Sequence, residues 1–182
     1  FLYEYRSEGR GVIEQVLQLS CAEKQQLYAA LQQNALDQNR FYNYYFHTDN
    51  CTTRARDMIA TRSGAQAHFN NILPAQPPTY RHLIHSYLEK GGQYWSKLGI
   101  DILLGSRLDK VVDNEESMFL PDYLMKGVDA AQTDGKKFAA PGKTILPFSS
   151  QKKIERTWFT PLLVSIIVFV IGFSLSFVNN KL

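Results

Sequence analysis

The chain has 182 residues, 45% of them apolar, which is enough to build a core and excludes a fully disordered chain. Basic residues number 20 against 17 acidic ones, and the net charge of +3 is too balanced for a dedicated nucleic-acid binder. The two cysteines, Cys21 and Cys51, exclude a disulfide scaffold.

Phe1 to Tyr5 is rich in aromatics and predicts a strand or strand end, closed by a turn at Gly9, Arg10 and Gly11. Val12 to Leu19 fits either period. Ser20 followed by Glu23 is a capping box and opens a helix through about Asn34, with Leu27, Leu31 and the alanines as its buried stripe. The aromatic run Phe41 to Phe46 has strand character and is expected mainly in the core. His47 to Asn50 reads as a polar turn. Cys51 to Arg62 reads as a helix with Ala55, Met58 and Ile59 on its inner face. Pro74, Pro77 and Pro78 punctuate a loop. Thr79 caps a helix from Tyr80 to Lys90, ended by Gly91 and Gly92. Further helices are expected over Tyr94 to Leu104 and over Met118 to Ala131, the second with Pro121 in its first turn. Residues 135–156 are rich in Gly, Pro, Lys and Ser and predict a linker.

The average hydropathy conceals an uneven distribution. No charged residue occurs from Thr157 to Asn180, and the run Phe159 to Val178 is nearly all apolar. At about 1.5 Å per residue it would span roughly 30 Å, so residues 157–180 are expected to form a transmembrane helix. Lys152, Lys153 and Arg156 precede it and Lys181 follows. Counting those charges favours a cytoplasmic side for the preceding residues.

The segment Arg40 to Asp57, RFYNYYFHTDNCTTRARD, is the richest in chemistry. Cys51 stands at a helix start, where free N–H groups and the positive dipole end favour thiolate over thiol. Arg54 and Arg56 add positive charge nearby. The N–H groups of Cys51 and Thr52 are placed to stabilise an oxyanion. The same pattern also fits a small buried cysteine. Cys21 starts a helix without that context and reads as structural. Asp49 and Asn50 suit helix capping or the orientation of a histidine, and Asp57 suits an ion pair with Arg54 or another arginine. A cysteine nucleophile needs a base. His47, His68, His82 and His85 are all present, and none has a convincing position. His82 and His85 share a helix face, but no further ligand accompanies them, so no metal site is expected.

The run YNYYFHTDNCTTRARD resembles the YNFFYDNCTTRIRD pattern of the Lnb-type periplasmic domain found in Bacteroides and its relatives. The blocks Gly9 to Leu27, Pro77 to Leu88, Gly99 to Lys110 and Met118 to Ala131 resemble it too. This chain has His47-Thr48-Asp49 where the pattern has Tyr before Asp, a shift within the turn. The resemblance implies an α+β, permuted papain-like (NlpC/P60-like) cysteine domain. Residues 1–134 would be its C-terminal part, and the catalytic His would lie on an upstream strand. The chain therefore reads as an internal piece of a longer protein. The activity implied is lipoprotein N-acylation with Cys51 as nucleophile, supported by Asp49, Asn50, Thr52, Arg54 and Asp57. A phospholipid acyl donor, a diacylglyceryl lipoprotein acceptor and the membrane are the partners expected. Nucleic acid, metal and cofactor are not. The implied location is the inner membrane, with the N-terminal domain in the periplasm. Two other functions fit the residues: a membrane-anchored cysteine peptidase or amidase, and a non-catalytic membrane-anchored assembly subunit.

Overall fold

The computed structural model describes residues 1–148 and 158–179, with side chains through residue 176. The rest of the expected linker, 149–156, and the flanking Lys152, Lys153, Arg156 and Lys181 lie outside the described residues. The architecture is mixed, with helices dominant: α1 (Leu2–Ser7), β1 (Val12–Glu14), α2 (Cys21–Ala35), α3 (Cys51–Asp57) continued by a π-helical turn (Met58–Arg62), α4 (Tyr80–Lys90), α5 (Tyr94–Leu104) continued by a 3-10 turn (Gly105–Asp109), α6 (Asn114–Ser117), α7 (Pro121–Ala130), β2 (Gln132–Thr133), β3 (Lys136–Lys137), β4 (Lys143–Leu146) and α8 (Pro161–Asn179). The chain divides into two compact units, Phe1–Pro78 with Val111–Gln151, and Thr79–Lys110 with Lys152–Leu182.

In the first unit, the expected N-terminal strand is a helix. Phe1 and Tyr5, one turn apart, bring their rings to 4.6 Å, and Arg10 lies over Tyr5 at 4.2 Å. Gly9, at φ +70°, ends α1 in a Schellman turn: Arg10 N–H donates to Tyr5 O and Gly9 N–H to Arg6 O. The Ser20–Glu23 capping box is present and opens α2. No residue of α2 is fully buried, however. Leu27 packs at the margin of the core and Leu31 is exposed.

Val12 to Gln18 resolves as extended chain. β1 pairs antiparallel with β4 (Val12 with Leu146, Ile13 with Thr144, Glu14 with Lys143), and a bridge joins Leu17 to Ala139. β2 and β3 form a second antiparallel pair. The expected linker therefore differs from the structure over 136–146. Its Lys- and Gly-rich composition conceals Phe138 and Ala139, which are buried with Leu19, Ala65, Val128 and Ala131 in one core. Phe138 N–H donates to Ala131 O and Gln18 N–H to Phe138 O, so a buried backbone is paired as burial requires. Burying one such phenylalanine contributes roughly 1.5–3 kcal/mol. α7 begins at Pro121 rather than Met118. Met118 closes α6 instead and is fully buried.

In the second unit, Thr79 Oγ1 accepts from His82 N–H to cap α4, and Gly92, at φ +65°, closes it in another Schellman turn. Arg81 ties the unit together. It donates to Asp101, to Asp109 Oδ1 at 2.6 Å and to Gly105 O at 2.8 Å. His85 Nε2 meets the same Asp101 carboxylate at 2.8 Å. Trp95 Nε1 donates to Phe159 O at 2.9 Å, joining α5 to the lead-in of α8.

The apolar run after Phe159 forms α8 as a helix, with Leu162, Phe169 and Phe173 exposed along it. Among the described residues no helix is long and apolar enough to cross a membrane.

Candidate functional site around Cys51

The site is built by the turn before α3. Tyr45 and Asp49 exchange two backbone hydrogen bonds of 3.0 Å each, closing a tight loop over the expected polar turn. The aromatic run leading into it is not a strand and not core. Among the described residues it pairs only at Tyr45, and Phe41, Tyr44 and Tyr45 are well exposed. Strand propensity had no neighbouring strand to act on here.

Asn50 follows and is buried. Its Oδ1 accepts from Thr52 N–H at 2.8 Å and Thr53 N–H at 3.0 Å, while Thr53 Oγ1 accepts from Asn50 N–H at 2.9 Å. Its Nδ2 donates to Phe46 O at 2.9 Å and to Phe119 O at 3.0 Å. One side chain thus caps α3, closes the preceding turn and anchors both to the segment before α7. Capping was the expected role of Asn50; the two donated bonds were not legible.

The cap also revises the expected oxyanion donors. Thr52 N–H is already taken by Asn50 Oδ1. Among the described residues, the Cys51 N–H is the amide of the first turn with no such partner. Cys51 itself is a free, exposed cysteine, so the buried-cysteine alternative does not hold. Cys21 is also free and exposed, at the first position of α2.

The partner of Arg54 is Asp49. Its guanidinium makes a two-pronged pair with Asp49, Nε to Oδ1 at 2.8 Å and Nη2 to Oδ2 at 3.0 Å, and stacks 3.4 Å from the Tyr42 ring centre. The hydrogen bond from Arg54 holds the Asp49 carboxyl below its ordinary value, and the same bond raises Arg54. Asp57 pairs with Arg56 at 2.7 Å rather than with Arg54, and Arg56 also donates to Glu115 O at 2.8 Å. The Tyr44 phenol is pushed up from its ordinary value, first by partial desolvation, then by Cys51 and Tyr42. It therefore stays a hydroxyl donor well above neutral pH.

Cys51 belongs to two cavities. The larger, a cleft of about 950 Å³ and the more polar of the two, has Tyr42, Asp49, Arg54 and Arg62 among its walls beside Leu31 and Met58. An apolar groove of about 500 Å³ lies between the β1 segment, α3 and α7. The groove residues Ile13, Leu17, Ile59, Leu124, Met125 and Val128 come from three separated stretches, and no sequence motif joins them. No histidine lines either cavity. His68 bonds through its backbone to Gln132, His85 meets Asp101, and His82 is exposed on α4.

A mixed α/β unit with an exposed cysteine on a capped helix start is the class that this geometry defines. Residues 1–86 match the family described as the Lnb N-terminal periplasmic domain, and the Lnb-type resemblance carried by the Cys51 motif is shown over that stretch. By its description, that family is a periplasmic domain. Comparison with curated proteins found no match, and neither did comparison with solved structures.

Proposed function

We propose that this chain carries the nucleophile of a lipoprotein N-acyltransferase of permuted papain-like fold, working on the periplasmic side of the inner membrane. The observation that carries the reading is the position of Cys51, exposed at the meeting of a polar cleft and an apolar groove within an Lnb-type segment. The described strands form two-stranded sheets, so the papain-like arrangement is part of the proposal.

In the first step the Cys51 thiolate attacks the ester carbonyl of a phospholipid. The C–S bond forms, the C–O bond breaks, and the lysophospholipid alkoxide leaves with a proton. In the second step the amine of a diacylglyceryl-cysteine attacks the thioester. The C–N bond forms, the C–S bond breaks, the amine loses a proton, and the thiolate returns. Dividing one hard substitution into two is the gain of covalent catalysis. The Cys51 N–H supplies an oxyanion donor. A histidine on a strand preceding the motif, as in the family pattern, serves as base. Asp49 and Arg54 hold the turn, and Asn50 holds the cysteine. The exposed apolar surface of α8 supports membrane anchoring, which brings the site to both lipid substrates.

Replacing Cys51 with Ser or Ala in the full-length protein abolishes N-acylation, with circular dichroism unchanged. An active, folded variant contradicts the reading. A peptidyl rather than acyl adduct on Cys51 would point to a peptidase or amidase instead.

A further inference from the structure

The groove beside Cys51 has a specific chemistry. Ile13, Leu17, Ile59, Leu124, Met125 and Val128 line it. Leu17, Ile59 and Leu124 also pack on the core that contains Val128, which fixes the walls. Its polar side chains are few, and that of Gln15 is engaged. Gln15 Nε2 donates to Met125 O at 3.0 Å and to Asp129 Oδ1 at 2.7 Å, and Thr52 N–H is held by Asn50. An extended peptide laid there would find few partners for its own N–H and C=O groups, each one left unpaired costing roughly 1–3 kcal/mol.

We propose that this groove holds the unbranched hydrocarbon chain of an acyl group carried on Cys51 Sγ, with the polar cleft on the other side left to the headgroup or the incoming amine. An alkyl chain needs no hydrogen-bond partner and gains from every methylene removed from water. The groove volume of about 500 Å³ falls within the range of small-molecule sites. The inference takes the acyl group from the function proposed above; the groove's preference for alkyl chains is testable without it. Chain selection is thereby assigned to Met125 and Leu124 on one wall and to Ile13 and Leu17 on the other.

The test uses the full chain in phospholipid nanodiscs and a series of alkyl methanethiosulfonates from methyl to octyl. Each places an alkylthio group on a cysteine thiolate and releases methanesulfinate. Cys21, exposed but outside both cavities, is the internal control. Peptide mass spectrometry gives the ratio of Cys51 to Cys21 labelling. The ratio should rise at least about ten-fold from methyl to octyl, since each methylene buried is worth up to about four-fold. Met125→Trp, which fills the groove, should abolish most of that rise, and Lys24→Trp on the exposed face of α2 should leave it intact. A ratio independent of chain length in the unaltered protein overturns the proposal, whatever the variants do. A rising ratio in a protein that transfers no acyl group keeps the groove and removes the acyltransferase reading.

Discussion

At the residue scale, Asn50 determines where Cys51 sits. It is buried, accepts from two amides and donates to two carbonyls. Asn50→Ala loses the cap and strands buried carbonyls, so it should cost about 2–4 kcal/mol by urea unfolding. Asn50→Asp keeps the acceptor but turns a carboxylate toward Phe46 O and Phe119 O, and should rescue little of the loss. Equal stability of Asn50→Ala and wild type would remove the residue from this role. Asp49 acts differently, through Arg54. Its carboxyl is held below its ordinary value, so the stabilisation is complete above the ordinary carboxylate range and is lost as pH falls through the lowered value. Both partners are more than a third exposed, so the pair is worth only about 0.2–1 kcal/mol. Asp49→Asn should show that deficit in urea melts at pH 7, and the deficit should shrink as the pH is lowered through the carboxylate range. A deficit that persists in acid would mean that the pair is not its source.

At the element scale, local signals were the legible ones. The Ser20–Glu23 box, the Thr79 cap and the bounds of α5 depend on neighbours within one turn, and they appear where the sequence places them. What depends on distant partners was not legible. Lys136 to Leu146 reads as linker until β1 and the core engage it. The run Phe41 to Phe46 reads as a core strand, yet only Tyr45 finds a bridge. Phe1 to Tyr5 reads as strand, and the Phe1–Tyr5 ring contact and the Gly9 closure make it helical. Two glycines carry element-scale constraints. A Cβ on Gly127 in α7 would lie 2.6 Å from Met118 Sδ, which is fully buried, so Gly127→Ala should cost about 1–3 kcal/mol through overpacking. Gly105 ends α5 at φ +57° and ψ −143°, a conformation nearly closed to other residues, so Gly105→Ala should cost a similar 1–3 kcal/mol although its surroundings are open. Thermal melts of the two variants check both mechanisms; unchanged melting of either removes its constraint.

At the scale of the whole molecule, the site residues named from sequence lie together in one short stretch of the first unit, while the groove they open onto is assembled from residues far apart in the chain. That contrast explains the limits of the sequence reading: a motif is contiguous, but a cavity is a product of tertiary packing. It also sets an order of protection. Amides of the core, such as Phe138 and Ala131, are paired in buried surroundings and should exchange slowly with solvent, and those of Phe41 to Tyr44, in exposed irregular chain, rapidly. Equal protection of the two segments would show that the aromatic run is packed away in solution. The central claim is that Cys51 is an acyl-carrying nucleophile. The most direct measurement is intact-protein and peptide mass spectrometry after incubation of the full-length protein with phospholipid and no acceptor. A long-chain acyl thioester is expected on Cys51, released by hydroxylamine and absent from Cys51→Ser. A protein that acylates lipoprotein with Cys51 unmodified, or after its replacement by Ser, would contradict it.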